Sequence, residues 1–138
     1  MSPSYGTDNV TTRRNLAVTI CRTRRPNLVS GCPLTAALAA VGGKWKLIVI
    51  YWLAESPRSF LALRRLMPRI SAKVLTEQLR ELTSDGIVQR ERTGRVPAPV
   101  VYSLTAYGHS VLPIAEAVRQ WGRGHIDRFA ESAGARAR

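Results

Sequence analysis

The chain of 138 residues carries 21 Lys and Arg against 9 Asp and Glu, which gives a formal net charge of +12. This length fits one domain with tails, and a hydrophobic content of 45% is enough for a modest core. The positive surplus indicates a polyanionic partner, either nucleic acid or an anionic membrane face. No apolar run is long enough to span a bilayer. We therefore expect a cytosolic protein, in which Cys21 and Cys32 are reduced thiols.

The two ends of the chain are predicted to lie outside the folded domain. Residues 1–30 are rich in Ser, Thr, Pro, Gly and Arg, and no amphipathic period persists along them. This flexible basic arm is either a solvated tail or an arm that follows the DNA backbone or the minor groove. The domain is predicted to span residues 31–128, and residues 129–138 are predicted to form a frayed tail.

Two helices are predicted to open the domain. Pro33 suits the first turn of a short, Ala-rich helix over Leu34–Val41, and Gly42-Gly43 ends it. Lys44–Ala54 is apolar nearly all round, so we expect this second helix to be central in the core.

A short strand and a third helix should follow. Arg58-Ser59 is predicted to contribute a strand residue or two, and Ser59 is predicted to cap the next helix. Arg64 and Arg65 fall on the polar side of that helix. Met67-Pro68-Arg69 is predicted to form the tight turn that leads onward.

The stretch after this turn is predicted to be the helix around which the domain is organised. Ser71 is a good N-cap, and Leu75, Leu79 and Leu82 recur at helical spacing on one face. Asp85-Gly86 ends the helix, because Gly tolerates the left-handed C-cap conformation. The opposite face carries Lys73, Thr76, Glu77 and Arg80.

Two β-prone runs complete a winged helix. Ile87–Arg92 and Val100–Leu104 are predicted to be strands, joined by a turn-rich loop with Arg95 at its tip. Helix, short strand, helix, turn, helix and hairpin is the order of the winged helix-turn-helix. The predicted fold class is therefore mainly α, a winged helix-turn-helix with a two-stranded wing.

The last helix is predicted to serve dimerisation. Thr105 should cap one long helix over about Ala106–Arg128, bent at Pro113. A single winged helix leaves little core for this helix to cover. Its apolar side, with the helix over Leu34–Val41, therefore indicates a homodimer interface. The alternative is that this helix packs on its own domain.

Several motifs in order give the chain a resemblance to a known family. They are Cys32-Pro33-Leu34, Gly42-Gly43-Lys44-Trp45-Lys46, Arg58-Ser59-Phe60, Leu63-Arg64-Arg65, Ile70-Ser71, Leu75-Thr76, Leu79-Arg80, Asp85-Gly86-Ile87-Val88, Val101-Tyr102-Ser103-Leu104-Thr105, Gly108, Leu112-Pro113 and Trp121-Gly122. Over about Cys32–Trp121 the chain resembles the HxlR-type transcription regulators. The resemblance implies a bacterial winged-helix regulator that binds a pseudo-palindromic promoter site as a homodimer. It also implies a possible response to electrophiles or oxidants, since Cys32 occupies the place of the family's N-terminal cysteine.

The basic side chains of this fold are candidates for DNA contacts. On the central helix, base edges in the major groove are the expected targets of Ser71, Lys73, Thr76 and Arg80. Arg95 at the wing tip is placed to enter the minor groove, and Arg90 and Arg92 to touch phosphate. Backbone clamps are expected at Arg64, Arg65 and Arg69. We expect Glu77 to pair with Lys73 at i, i+4, and the alternative is a contact with the amino group of a cytosine. Lys44 and Lys46 are either further contacts or solvated helix ends.

Cys32 is the candidate sensor thiol. The helix N-terminus that follows it favours the thiolate, which reacts with oxidants and electrophiles. An inert thiol is the alternative, and a small ligand is the alternative trigger.

We expect a transcription regulator, and the resemblance to this family implies a repressor. A non-specific architectural DNA-binding protein and a protein-interaction module on a winged-helix scaffold remain as alternatives. An enzyme is not expected, because His109 and His125 belong to no metal-ligand or catalytic cluster and no phosphate loop is present. No cofactor or metal is expected either.

Overall fold

The computed structural model describes residues 32–92, Gly94 and residues 99–137. The predictions for the N-terminal arm, for Cys21 and for Arg95 therefore lie outside the described residues. The chain divides into two units, Met1–Gly43 and Lys44–Arg138. In the first, helix α1 (Pro33–Val41) has its proline in the first turn and ends at Gly42, whose N–H donates to the carbonyl of Leu38 at 2.8 Å.

The second unit holds the remaining elements and has the predicted winged-helix order. They are α2 (Lys46–Glu55), β1 (Arg58–Ser59), α3 (Phe60–Leu66), α4 (Ala72–Ser84), β2 (Val88–Arg92), β3 (Val100–Leu104), α5 (Ala106–His109) and α6 (Leu112–Arg136). The three strands form one antiparallel sheet in the order β1-β3-β2. This arrangement confirms the predicted winged helix-turn-helix.

The core of this unit is built around the apolar face of α4. Leu75, Leu79 and Leu82 are each at most 1% exposed, as their helical spacing predicts. Val49 and Ile50 of α2 are fully buried as well. Each such side chain contributes about 1.5–3 kcal/mol by leaving water, so the orientation of α4 about its own axis is fixed by burial.

Serine caps define where both helices of the helix-turn-helix begin. The Ser59 hydroxyl accepts from the N–H of Ala62 at 3.1 Å, and the Ser71 hydroxyl accepts from the N–H of Val74 at 3.1 Å. Each cap satisfies a donor that the first helical turn leaves without a partner and stabilises the helix by about 1 kcal/mol. Both caps confirm the predictions from sequence.

The prediction of one long C-terminal helix bent at Pro113 was wrong. Thr105 instead caps the short α5, and its hydroxyl accepts from the N–H of Gly108 at 2.9 Å. Pro113 lies in the first turn of α6, where its missing N–H costs no helical hydrogen bond. The helix also continues to Arg136 rather than ending near Arg128, because the Ala and Glu residues of this segment favour helix.

Among the described residues, no single helix is both long and apolar enough to span a membrane. Only α1 and α2 counted together reach the required length and hydropathy.

At Gly108, α5 lies close to the backbone of Ile87, the residue that precedes β2. The N–H of Thr105 donates to the carbonyl oxygen of Ile87 at 3.1 Å, and the hydroxyl of Thr105 donates to the carbonyl oxygen of Gly86 at 2.5 Å. A Cβ on Gly108 would lie 2.0 Å from the carbonyl oxygen of Ile87, which is closer than any real contact. The absence of a side chain at Gly108 therefore allows α5 to dock against the end of α4.

We expect Gly108→Ala to lower the free energy of unfolding by at least about 2 kcal/mol, because backbone must move to admit the methyl group. Gly124→Ala is the matched control, since a Cβ there meets nothing within 4 Å. Urea denaturation followed by circular dichroism measures both variants. Equal stability of Gly108→Ala and the native protein would contradict the close approach.

Candidate nucleic-acid interface

The polar face of α4 is exposed along its whole length. Because Leu75, Leu79 and Leu82 occupy the buried side, the other side must face solvent. The predicted base-reading candidates all lie there and are exposed, namely Ser71, Lys73, Thr76 and Arg80. One surface of a single helix thus presents an ammonium, a guanidinium and two hydroxyls.

The two hydroxyls of this face are already partly used. The Ser71 oxygen accepts from Val74, which leaves its proton for an outside acceptor. The Thr76 hydroxyl donates to the carbonyl of Ala72 at 2.8 Å. Thr76 therefore offers DNA an accepting oxygen and a methyl group.

The expected ion pair between Lys73 and Glu77 is not formed. Among the described residues, no salt bridge within 4.0 Å joins these two exposed side chains. Exposed pairs at this spacing gain only about 0.3–0.5 kcal/mol, so solvation and side-chain entropy can outweigh the attraction. Lys73 is consequently available to an outside partner.

Arginines flank α4 on both sides along the chain. Arg64 and Arg65 are exposed in the last turn of α3, and Arg69 is exposed in the turn that leads into α4. Arg90 and Arg92 are exposed on β2 and, being two residues apart, share one face of the strand. The wing and the turn before α4 therefore add exposed positive charge before and after this helix in the chain.

Sequence reasoning missed a partly buried ion pair that joins α2 to α4. Lys46 is only 5% exposed, and its Nζ lies 2.6 Å from Oε2 of Glu81. A lysine that opens an otherwise apolar helix is the only signal for it in the sequence, and the expectation of a solvated helix end or a DNA contact at Lys46 was wrong. Lys44, by contrast, is exposed and lies 4.8 Å from the centre of the Trp45 ring.

Cys32 is exposed directly before the first turn of α1. The resting thiol does not cap the helix through a side-chain hydrogen bond. Donors at the helix start favour its thiolate. Hydrogen bonding by the Thr35 side chain, and then by the backbone N–H groups of Thr35 and Leu34, lowers the pKa of this thiol. Access and a lowered pKa are the two properties that make a cysteine reactive.

The ion pair between Lys46 and Glu81 leads to a stability prediction. Lys46→Met should lower the free energy of unfolding by about 2 kcal/mol, since the Glu81 carboxylate loses its buried partner. Lys46→Met combined with Glu81→Leu should recover most of this loss, because well-packed apolar side chains replace the ion pair. Lys44→Met is the matched control and should change stability little. The measurement is urea denaturation, and no difference between Lys46→Met and Lys44→Met would contradict the assignment.

Comparisons with known proteins give this geometry its family. The model for the HxlR-like helix-turn-helix matches residues 40–130. The uncharacterized HTH-type transcriptional regulator YdeP of Bacillus subtilis is 41% identical over 99 residues, which cover 72% of this chain and 77% of YdeP.

Solved structures agree in both fold and sequence. The redox regulator HypR in its reduced form superposes with a TM-score of 0.68 at 40% identity and covers 72% of this chain and 99% of its own. The oxidized form of HypR superposes with a TM-score of 0.65 at 43% identity and covers 67% of this chain and 96% of its own. A crystal structure of the HTH-type transcriptional regulator ytcD superposes with a TM-score of 0.66 at 40% identity. It covers 70% of this chain and 98% of its own. The chain belongs to the HxlR-like helix-turn-helix family.

Proposed function

We propose that this chain is a sequence-specific, DNA-binding transcription regulator that acts as a homodimer, and that it is a repressor. The observation that carries the proposal is the exposed polar and basic face of α4, held outward by three buried leucines. Relatives at 40% identity or more are named HTH-type transcriptional regulators, which supports the same function for this chain. Repression follows when the bound dimer excludes polymerase from the promoter.

In this proposal α4 lies in the major groove and its first turns contact base edges. Lys73 is suited to the guanine acceptors O6 and N7, and the methyl group of Thr76 is suited to a thymine methyl. Ser71 and Arg80 extend the exposed polar surface towards the two ends of the helix. Each specific base contact of this kind discriminates by about 1–3 kcal/mol.

The remaining arginines hold the protein on the duplex without selecting sequence. Phosphates are the proposed partners of Arg64, Arg65 and Arg69 before α4, and of Arg90 and Arg92 on the wing. Arg95 is proposed to enter the minor groove. Contacts to phosphate release counterions, so we expect affinity to fall steeply with salt.

Dimerisation is proposed to cover the apolar side of α6. Ile114, Val118, Trp121 and Phe129 recur at helical spacing and are 48–69% exposed, and the His125 ring stacks on that of Trp121 at 4.8 Å. An apolar stripe of this length on a soluble domain indicates a protein partner. Leu34 and Leu38 of α1, 67% and 59% exposed, are proposed to contribute to the same dimer.

Release from DNA is proposed to follow a change at the dimer helices. Cys32, with its lowered pKa at the start of α1, is the proposed target of an oxidant or electrophile. That HypR is a redox regulator supports this trigger. A small ligand bound between the dimer helices is the second candidate trigger. Either one acts by favouring a dimer whose two α4 helices no longer match the operator.

The test is a competition footprint on the promoter region beside the gene of this protein, at physiological salt with excess random DNA. We expect a short protected site with two-fold symmetry. Lys73→Ala and Thr76→Ala should each lower the preference for this site by about tenfold, because each removes a base contact. Gln120→Ala on α6 is the matched control and should leave the footprint unchanged.

Three results would each change the proposal. Loss of all protection under random competitor would favour a non-specific architectural protein, which charge alone can explain. Full function in cells after removal of Lys73 and Arg80 would favour a protein-interaction module. If oxidant removes the protection by the native protein but not that by Cys32→Ser, Cys32 is the sensor. If the protection by the native protein survives oxidant, Cys32 is excluded as the sensor and a small ligand becomes the candidate trigger.

A further inference from the structure

A pocket of about 350 Å³ lies between the second half of α4 and the wing. It is lined by Thr76, Leu79, Arg80, Thr83, Arg90 and Tyr102. Leu79 is 1% exposed and belongs to the core. One wall of the pocket is thus part of the buried core, and two arginines border the pocket.

The two arginines reach the pocket from different elements. Arg80 lies on α4, and Arg90 lies on β2 directly opposite Tyr102 of β3 in the antiparallel register. Side chains that are paired in this way project from the same face of the sheet, which explains why Arg90 and Tyr102 line one pocket. The helix and the wing therefore bring two positive charges to one place.

Neither arginine is neutralised by the protein. In the part of the chain that the structure describes, no carboxylate lies within 4.0 Å of the guanidinium of Arg80 or Arg90. Two like charges that share a pocket repel each other, and an anion between them would remove that cost.

The other polar groups of the pocket narrow the chemistry of this anion. The hydroxyl of Thr83 donates to the carbonyl of Leu79 at 2.7 Å, and that of Thr76 donates to Ala72. Their protons are engaged, so the donors that remain are the guanidinium N–H groups and the hydroxyl of Tyr102. A ligand of this site must accept several hydrogen bonds and carry negative charge, as a phosphate does.

We infer that Arg80 and Arg90 together bind one phosphate of the DNA backbone, and that this shared phosphate joins α4 to the wing. The inference rests on the proposed DNA binding and refines it. Arg80 then fixes the depth and register of α4 in the groove, while base selection is left to the first turns of the helix. A phosphate contact weakens all sequences alike when it is lost, whereas a base contact changes the preference between sequences.

The experiment measures the affinity of the full chain for two duplexes of equal length, one from its own promoter and one of random sequence. The variants are Arg80→Gln, Arg90→Gln and the double variant, each checked for native circular dichroism. Arg136→Gln, in the last turn of α6, is the matched control that removes one charge outside the pocket. Affinities are compared across about 50–200 mM salt.

We expect each single variant to bind both duplexes about tenfold more weakly, with the preference for the promoter unchanged. Log affinity falls as log salt rises, and the double variant should make this slope shallower by about 0.9. That is the value for one phosphate, whereas two separate phosphates would give twice as much. A neutral methylphosphonate at the contacted position should weaken the native protein but not the double variant. Arg136→Gln should leave the slope unchanged.

Several outcomes would overturn the inference. A fall in promoter preference for Arg80→Gln would make it a base contact, and a slope change of two phosphates would mean separate sites. If inorganic phosphate binds the native protein but not the double variant while the salt slope stays the same, the pocket serves a free anion. Failure of the proposed function is a separate result, because the random duplex tests the pocket even if the native protein shows no promoter preference.

Discussion

Burial of the three leucines on α4 is the constraint on which the rest of the structure depends. Leu75, Leu79 and Leu82 are removed from water almost completely, and their combined transfer free energy is about 5–9 kcal/mol. That is comparable with the whole stability of a small domain. The helix cannot rotate about its axis without exposing them, so its polar face is held outward as rigidly as the core is packed.

The other interactions of the second unit fix α4 at its ends. Ser71 sets its first residue, and Glu81 ties its last turn to Lys46 at the start of α2. Beyond its C-terminus, the N–H of Ile87 donates to the carbonyl of Leu82 at 3.0 Å, and Thr105 and Gly108 hold α5 against the carbonyl of Ile87. A helix restrained in this way has its backbone fixed in advance, so only the exposed side chains of its polar face would lose freedom on meeting a target.

The elements that follow from local rules were predictable from the sequence. Leucine spacing identified α4, hydroxyl residues identified the caps at Ser59 and Ser71, and β-prone runs identified the wing. What could not be predicted depends on contacts between distant residues. Lys46 looks like a solvated helix end until Glu81 lies beside it, and the pocket shared by Arg80 and Arg90 exists only once the wing has folded against α4.

Pro113 shows that a local rule can also be applied at the wrong place. A proline within a long apolar pattern bends a helix, but the same proline at the first turn of a helix is favourable. Whether Pro113 lies inside a helix or in its first turn depends on where α5 ends. The short α5 begins at Thr105, which is held by hydrogen bonds to the carbonyls of Gly86 and Ile87, and these two residues lie far away in the sequence. The exposed side of α4 was predictable because its spacing is local, whereas the partner of each side chain was not.

We propose that two copies of α4 contact adjacent major grooves. Affinity must then depend on the distance between the two half-sites of the operator. The measurement is the affinity for a series of duplexes that carry the two protected half-sites with base pairs inserted one at a time between them. We expect a sharp optimum with centres about one helical turn, roughly 34 Å, apart, and a loss of at least about tenfold when half a turn is inserted. Equal affinity at every spacing would contradict a dimer that binds two grooves at once.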